Sequence, residues 1–268
     1  MTRSSSSSHA RLQPPESAAS TPHRSVSQRT TPSELLCWAK RSKLRFDELP
    51  REIQDALGGV IQHRSYQSGE IIFRAGEIPR GLYRIDAGIV KVTRQMPGRP
   101  ECLILDLRDR GESLGEETLF DDAPHATSAY AVEPVDLSFV PRGELWAVMR
   151  ECPQFLEQLL AIYALRIQRA QDKLSMFYFE DVETRLAAAV IGLAHRSGQS
   201  EKEAIRFSPH FHRWDWAQLV GTRVETVGRI FRRWAEQGWI RGGTGHLILD
   251  DKEGLVARLK QCSDRTAS

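Results

Sequence analysis

Between residues 156 and 177, Leu156, Leu160, Tyr163, Ile167, Ala170, Leu174 and Phe177 recur at alternating intervals of four and three. That period predicts a long helix with an a/d seam over about three heptads, the pattern of a two-stranded coiled coil. The alternative is a helix packed by this stripe on its own chain, which ordinarily shows a broader apolar face. Upstream the period shortens. β-prone runs at 71–73, 82–85, 89–92, 102–105 and 137–140 alternate with glycine turns and predict a small barrel or jelly-roll-like sandwich. Short helices are expected over 33–42 and 50–58.

Past an aromatic joint at 176–179, a candidate hinge or interface, a further helix is expected over 181–194. From Trp214 the chain reads helix, tight turn, helix. Gly221 suits a helix end that needs positive φ. Thr222 and Glu225 have the T-x-x-E spacing of a capping box, predicting that Thr222 caps the second helix. Val227, Ile230, Phe231 and Trp234 would pack that helix, leaving Glu225, Thr226 and Arg229 on a polar side. An acceptor and a forked cationic donor on a rigid helix match the edges of bases in the major groove. Glu225 also has a structural alternative, completing the box or pairing with Arg229 at i,i+4. Trp214, Trp216, Trp234 and Trp239 are expected in cores or interfaces.

Composition changes this picture in a few places. A chain of 268 residues can hold two modest domains. Its net charge of +2 says little about partners, but residues 206–249 carry seven arginines against three carboxylates. That local excess favours a polyanionic partner. Residues 1–33 are rich in Ser, Thr and Pro and are expected to form a disordered tail. Their composition also fits a transit peptide or translation from a misassigned start. Cys37, Cys102, Cys152 and Cys262 form no C-x-x-C pair, so they read as reduced thiols of a cytoplasmic protein, without a metal site. No apolar run suits a membrane span or a membrane partner. Neither a nucleophile–base pair nor a Walker loop appears, which argues against an enzyme.

The segment Gln-Leu-Val-Gly-Thr-Arg-Val-Glu-Thr-Val-Gly-Arg at 218–229 resembles the recognition helix of the cyclic-AMP receptor/FNR (CRP/FNR) family of bacterial transcription regulators. Gly238-Trp-Ile-Arg resembles the entry to that family's wing, and the glycine-bounded runs 69–76, 81–88 and 111–116 resemble the turns of its β-roll. Together these cover about residues 35–260. The resemblance implies an α+β chain in four parts. A tail over 1–33 precedes a cyclic-nucleotide-binding-like, jelly-roll-like sensor β-roll over 34–150. A long dimerisation helix and hinge follow over 151–180, then a C-terminal winged helix-turn-helix DNA-binding domain over 181–268. It implies a homodimer on pseudo-palindromic double-stranded DNA, with RNA polymerase as a further partner. Glu225 would accept from a cytosine amine and Arg229 would donate to guanine O6 and N7. Thr222, Arg223 and Thr226 would lie near phosphate, with Arg213, Arg232 and Arg233 as candidate backbone contacts. Two departures mark a specificity of its own. Val224 replaces the arginine of the cyclic-AMP receptor type, and Gly228 replaces the serine of the FNR type.

Gly115-Glu116 resembles the opening of the family's phosphate-binding cassette and Ser128-Ala129 its end. Glu116, Thr127 and Ser128 are therefore the candidate effector pocket. The cassette's arginine is absent, its neighbourhood being Ala126 and Thr127. Ala170 stands near the position that presents a hydroxyl in the cyclic-AMP receptor. Classical cyclic-AMP sensing is not expected, since its phosphate would lack a charge-assisted partner. One N-terminal cysteine cannot hold an iron–sulfur cluster. His63 and His125 read as solvent-exposed loop residues rather than haem ligands. The cofactor is left unassigned, with single-thiol redox control through Cys37 or Cys102 still open. The competing reading is a cyclic-nucleotide-binding module gating a partner protein, which has no need of the Glu225/Arg229 face.

Overall fold

The computed structural model describes residues 43–95, 97–98, 101–120, 123–197, 199–201, 204–207, 211–243 and 246–265. The expected tail, the helix expected over 33–42 and Cys37 lie outside them. Helix α1 (Arg51–Val60) buries Ile53 and Leu57. Eight strands follow: β1 (Gln62–Tyr66), β2 (Ile71–Phe73), β3 (Gly81–Ala87), β4 (Val90–Gln95), β5 (Cys102–Arg108), β6 (Ser113–Leu114), β7 (Ser128–Ala131) and β8 (Val135–Pro141). They form two antiparallel four-stranded sheets, ordered β1-β8-β3-β6 and β2-β7-β4-β5. Ile72, Phe73, Ile85, Val90, Val92, Leu137 and Phe139 fill the space between them. This is the expected β-roll.

Each of the five expected runs lies in or overlaps a strand, and β1, β6 and β7 are additional. Among the described residues strand β1 is an edge strand that pairs with β8 alone, and its mostly polar, exposed residues leave no hydrophobic alternation to read. Strand β7 alternates on small residues, burying Ala129 and Ala131, and β6 has only two residues.

Helix α2 (Arg142–Glu151) and the start of α3 (Pro153–Phe179) pack with α1 around Leu145, Val148, Phe155 and Leu159. Helix α3 carries two stripes. The seam at 156–177 includes Leu160, Ile167 and Leu174, which are 59%, 58% and 71% exposed. One residue earlier at every step runs Phe155, Leu159, Ile162, Arg166, Arg169, Lys173 and Met176, which faces the chain's own β-roll. The joint expected at 176–179 is helical throughout, and the chain breaks instead at Glu180, whose backbone is extended. Asp181 then caps α4 (Val182–Ser197), its carboxylate accepting from the Thr184 N–H at 2.8 Å.

The C-terminal unit comprises α4, β9 (Gln199–Glu201), β10 (Ala204–Phe207), α5 (Arg213–Val220), α6 (Val224–Glu236), β11 (Ile240–Gly243), β12 (His246–Leu249) and α7 (Lys252–Arg265). Its strands order as β11-β12-β10-β9. Leu186, Trp216, Leu219, Val227 and Trp234 form its core, to which Ile89, Ile104, Leu107 and Val132 of the β-roll also belong. The two units therefore share apolar surface. Among the described residues, no helix is long and apolar enough to cross a membrane.

Candidate nucleic-acid interface

Helix α5 begins where Asp215 accepts the His212 N–H at 2.9 Å, and it ends at Gly221 with φ of 65°. A side chain at Gly221 would be left-handed, and its Cβ would meet the Phe177 ring at 2.5 Å. The turn thus depends on glycine twice over. Helix α6 starts one residue later than expected. Arg223 is its N-cap, in extended conformation, with no side-chain cap hydrogen bond. The Thr222–Glu225 capping box is accordingly not formed, because the carbonyl receiving the Thr226 and Val227 N–H groups belongs to Arg223. Among the described residues no ion pair joins Glu225 and Arg229, whose guanidinium is hydrogen-bonded to Thr226 instead.

Val227, Ile230 and Trp234 bury one side of α6, with Phe231 partly buried beside them. Arg223, Glu225, Arg229, Arg232 and Arg233 are exposed on the other, and Thr226 is half-buried. Arg229 makes one long hydrogen bond, to Thr226 at 3.5 Å. Arg233 is engaged with Glu183 of α4 at 2.6 Å. Exposed Arg213 reaches across Gly228, where an added Cβ would lie 3.2 Å from its Nη1. Gly228 therefore leaves room for the Arg213 guanidinium beside α6, a role its spacing alone did not reveal. Trp216 and Trp234 are buried and Trp239 packs partly, as expected, but Trp214 is 52% exposed. It lines a groove of about 610 Å³ between the β4–β5 end and the turn into α6, with Arg94, Cys102, Gln218, Arg223 and Glu225.

Several seam residues are engaged within the chain, Leu156 being partly buried against the core of α1 and α2. The Phe177 ring lies under the Arg185 guanidinium at 4.8 Å as well as against Gly221, so it packs within its own chain. Arg185 in turn donates to the carbonyls of Glu180 at 2.7 Å and Val220 at 3.0 Å, tying the break to the end of α5. Tyr163 donates its hydroxyl to the Glu116 carbonyl.

At the candidate effector pocket Glu116 is buried, contacted by Arg108 at 3.2 Å and by Arg166. Gly115 precedes it with φ of 82°. Ser128 accepts the Ala75 N–H at 2.9 Å, and the Thr127 hydroxyl is buried without a hydrogen-bond partner among the described residues. His63 is exposed, but His125 is not the solvent-facing residue its loop suggests. It is buried, stacked on Phe73 at 4.0 Å and 3.6 Å from Glu117. Burial works to raise the Glu117 pKa, yet His125 and Arg108 hold it below the ordinary range.

Beside this pocket lies a charge cluster that no local motif announces. Arg108, Arg166, Arg169 and Arg196 meet Asp106, Asp109, Glu112 and Glu116. Glu112 is fully buried, receiving Arg169 at 2.9 Å and Arg196 at 2.8 Å. Asp106 is held down to about 2, because Arg169, Arg108, Arg166 and Arg196 overcome the opposing effect of burial.

The cyclic nucleotide-binding domain model matches residues 63–152, and the Crp-like helix-turn-helix domain model matches residues 184–258. The CRP-like cAMP-activated global transcriptional regulator of Mycobacterium tuberculosis is 32% identical over 205 residues, spanning 76% of this chain and 91% of that relative. The chain belongs to the CRP/FNR family of transcription regulators. The Cyclic AMP receptor protein of Thermus thermophilus is 34% identical over 206 residues, spanning 77% of this chain and 91% of the relative. The crystal structure of a CRP/FNR transcriptional regulator from the same organism superposes with a TM-score of 0.63 at 25% identity, covering 75% of this chain and 98% of that one. Members of the CRP/FNR family are DNA-binding regulators rather than enzymes. In this CRP/FNR chain, α5, the turn at Gly221 and α6 make the helix-turn-helix, and β11 and β12 follow it as the wing.

Proposed function

We propose that this regulator binds pseudo-palindromic double-stranded DNA as a homodimer, reading each half-site with Glu225 and Arg229. The observation that carries the dimer is the row of Leu160, Ile167 and Leu174 on α3, large apolar side chains turned to solvent in the single chain. Two copies joined along that row would present two α6 helices, each to its own half-site about one helical turn apart. Thr222, Arg223 and Thr226 would flank phosphate, with Arg213, Arg232 and Arg233 as further backbone contacts. In this reading residues 34–150 sense, 151–180 dimerise and bend, and 181–268 bind DNA. RNA polymerase would be the partner at the promoter. Sedimentation and selection from random duplexes test the assembly together. A dimer recovering inverted repeats is the expected result, and a monomer selecting single half-sites overturns it.

The effector in this reading is not cyclic AMP bound in the classical mode. Ala126 and Thr127 offer no cation for a cyclic phosphate, Ala170 offers no hydroxyl, and Glu116 already faces Arg108 and Arg166. A second reading is favoured by the two relatives at 32% and 34% identity whose names record cyclic AMP. Calorimetry decides between them. Cyclic-AMP binding that tightens operator affinity establishes the second, and its absence supports the first.

A further inference from the structure

A single break at Glu180 joins α3 to the DNA-binding unit, and one extended residue does not fix the orientation of the unit beyond it. Apolar contacts of Ile104 and Leu107 hold the units together, but such contacts are non-directional and tolerate sliding. The Phe177 ring seated at Gly221 fixes the joint itself, and away from it the directional contacts centre on buried ion pairs. Arg196, near the end of α4, is 3% exposed in its side chain and has every donor nitrogen engaged by the β-roll. Its Nε donates to Asp109 at 3.1 Å, its Nη1 to the Leu107 carbonyl at 2.8 Å, and its Nη2 to Glu112 at 2.8 Å. Glu112 is held in turn by the Asp109 N–H at 2.9 Å and by Arg169 of α3 at 2.9 Å. Arg169 also donates to Asp106 at 2.6 Å. One carboxylate thus bridges the long helix and the DNA-binding unit. A second pin lies on another helix, where Lys91 of β4 meets buried Asp215 of α5 at 2.6 Å.

A forked guanidinium on fixed acceptors loses several bonds together if α4 advances by even one residue, about 1.5 Å. Buried pairs of this kind add little net stability, because desolvation offsets their attraction, but they penalise every other placement. Two half-sites moved by one base pair shift by about 3.4 Å and rotate by about 34°. A displacement of that size exceeds what the bonds of Arg196 and Lys91 tolerate.

We propose that Arg196, Glu112 and Lys91 are positioning residues that set the half-site spacing this regulator accepts. The inference rests on the dimeric reading above. Its test compares operators with the preferred centre against operators with one central base pair added or removed, by fluorescence anisotropy. The wild-type dimer is expected to lose about 30-fold or more in affinity on either change. The charge-balanced double variant Glu112→Gln/Arg196→Met should bring that penalty to about threefold, while affinity for an isolated half-site and the dimer mass stay as in wild type. Lys91→Met carries the same test at a less buried side chain, should the double variant not fold, and its penalty should fall to about tenfold. Arg196→Lys keeps the charge but not the fork, and should give an intermediate penalty. Wild-type spacing discrimination in the folded variants overturns the inference and leaves the dimer standing. A wild-type protein indifferent to spacing, or monomeric, removes the dimeric reading itself.

Discussion

The seam of α3 and the stripe beside it run in parallel one residue apart, and they invert the ordinary sorting of side chains. Leu160, Ile167 and Leu174 point outward, whereas Arg166, Arg169 and Lys173 point toward the β-roll. The cations are matched by carboxylates, and in the case of Lys173 by the carbonyls of Ile104 at 2.8 Å and Leu105 at 3.0 Å. Among the described residues the leucines and isoleucine have no such match. Inward charge is largely neutralised, although the buried Arg166 Nε keeps no hydrogen-bond partner among the described residues, while an outward row of hydrocarbon is a surface that a partner can cover. Helix α3 is therefore two helices in one, a finished wall toward the roll and an unfinished one toward solvent.

The largest expected effect breaks the unfinished side. Leu174→Glu should raise the dimer dissociation constant at least about 100-fold, since burial of a leucine contributes ~1.5–3 kcal/mol and the twofold axis counts it twice. Sedimentation equilibrium reads it, and the thermal midpoint of the monomer should barely move. Gly221→Ala comes next. The left-handed conformation alone costs ~1–2 kcal/mol, and the Phe177 ring must move besides, so both unfolding temperature and operator affinity should fall.

The finished side has its own signature in pH. Asp106 is depressed from 3.8 to about 2, so its contribution of ~2 kcal/mol is fully present above about pH 4 and is lost as pH falls toward 2. Denaturation midpoints of wild type should drop across that window, and Asp106→Asn should flatten the drop. Arg229 belongs to neither stripe and serves as the contrast. Its replacement by alanine should cost ~1–3 kcal/mol on the preferred site, with stability unchanged and random DNA bound as before. The smallest change is expected for Gly228→Ser. It displaces only the tip of Arg213, so stability should stay within about 0.5 kcal/mol, while preference at one flanking base pair shifts in a selection experiment.

Much of the fold was legible because hydrophobic period and glycine placement act locally. The β-roll, the long helix and the helix-turn-helix each rest on such patterns. Strand β1 was not, since an edge strand of polar residues leaves no alternation to read. The capping box failed for a different reason. The T-x-x-E spacing was present, but Arg223 supplies the first helical carbonyl, so the signature marked the helix start one residue early and its side-chain bonds are not made. At the site, the exposed face of Glu225 and Arg229 followed directly from the helical wheel. The Glu112 cluster did not, because its members at 106–116, 166, 169 and 196 meet only after three elements have packed. The offset stripe shares the seam's own four-three rhythm and was available in principle. Its cationic half carries no hydrophobic signal, and arginine and lysine ordinarily sit in solvent.

The contact of Phe177 with Gly221 constrains how this molecule can be recombined with its relatives. A graft that exchanges DNA-binding units at the natural break, Glu180, would leave the donor's turn seated on a foreign ring. Cutting ahead of residue 177 keeps ring and turn from one parent, so the interlock travels with the reading head. Operator preference can then be exchanged as a cartridge, whereas a join at the visible kink would separate two parts that the molecule treats as one.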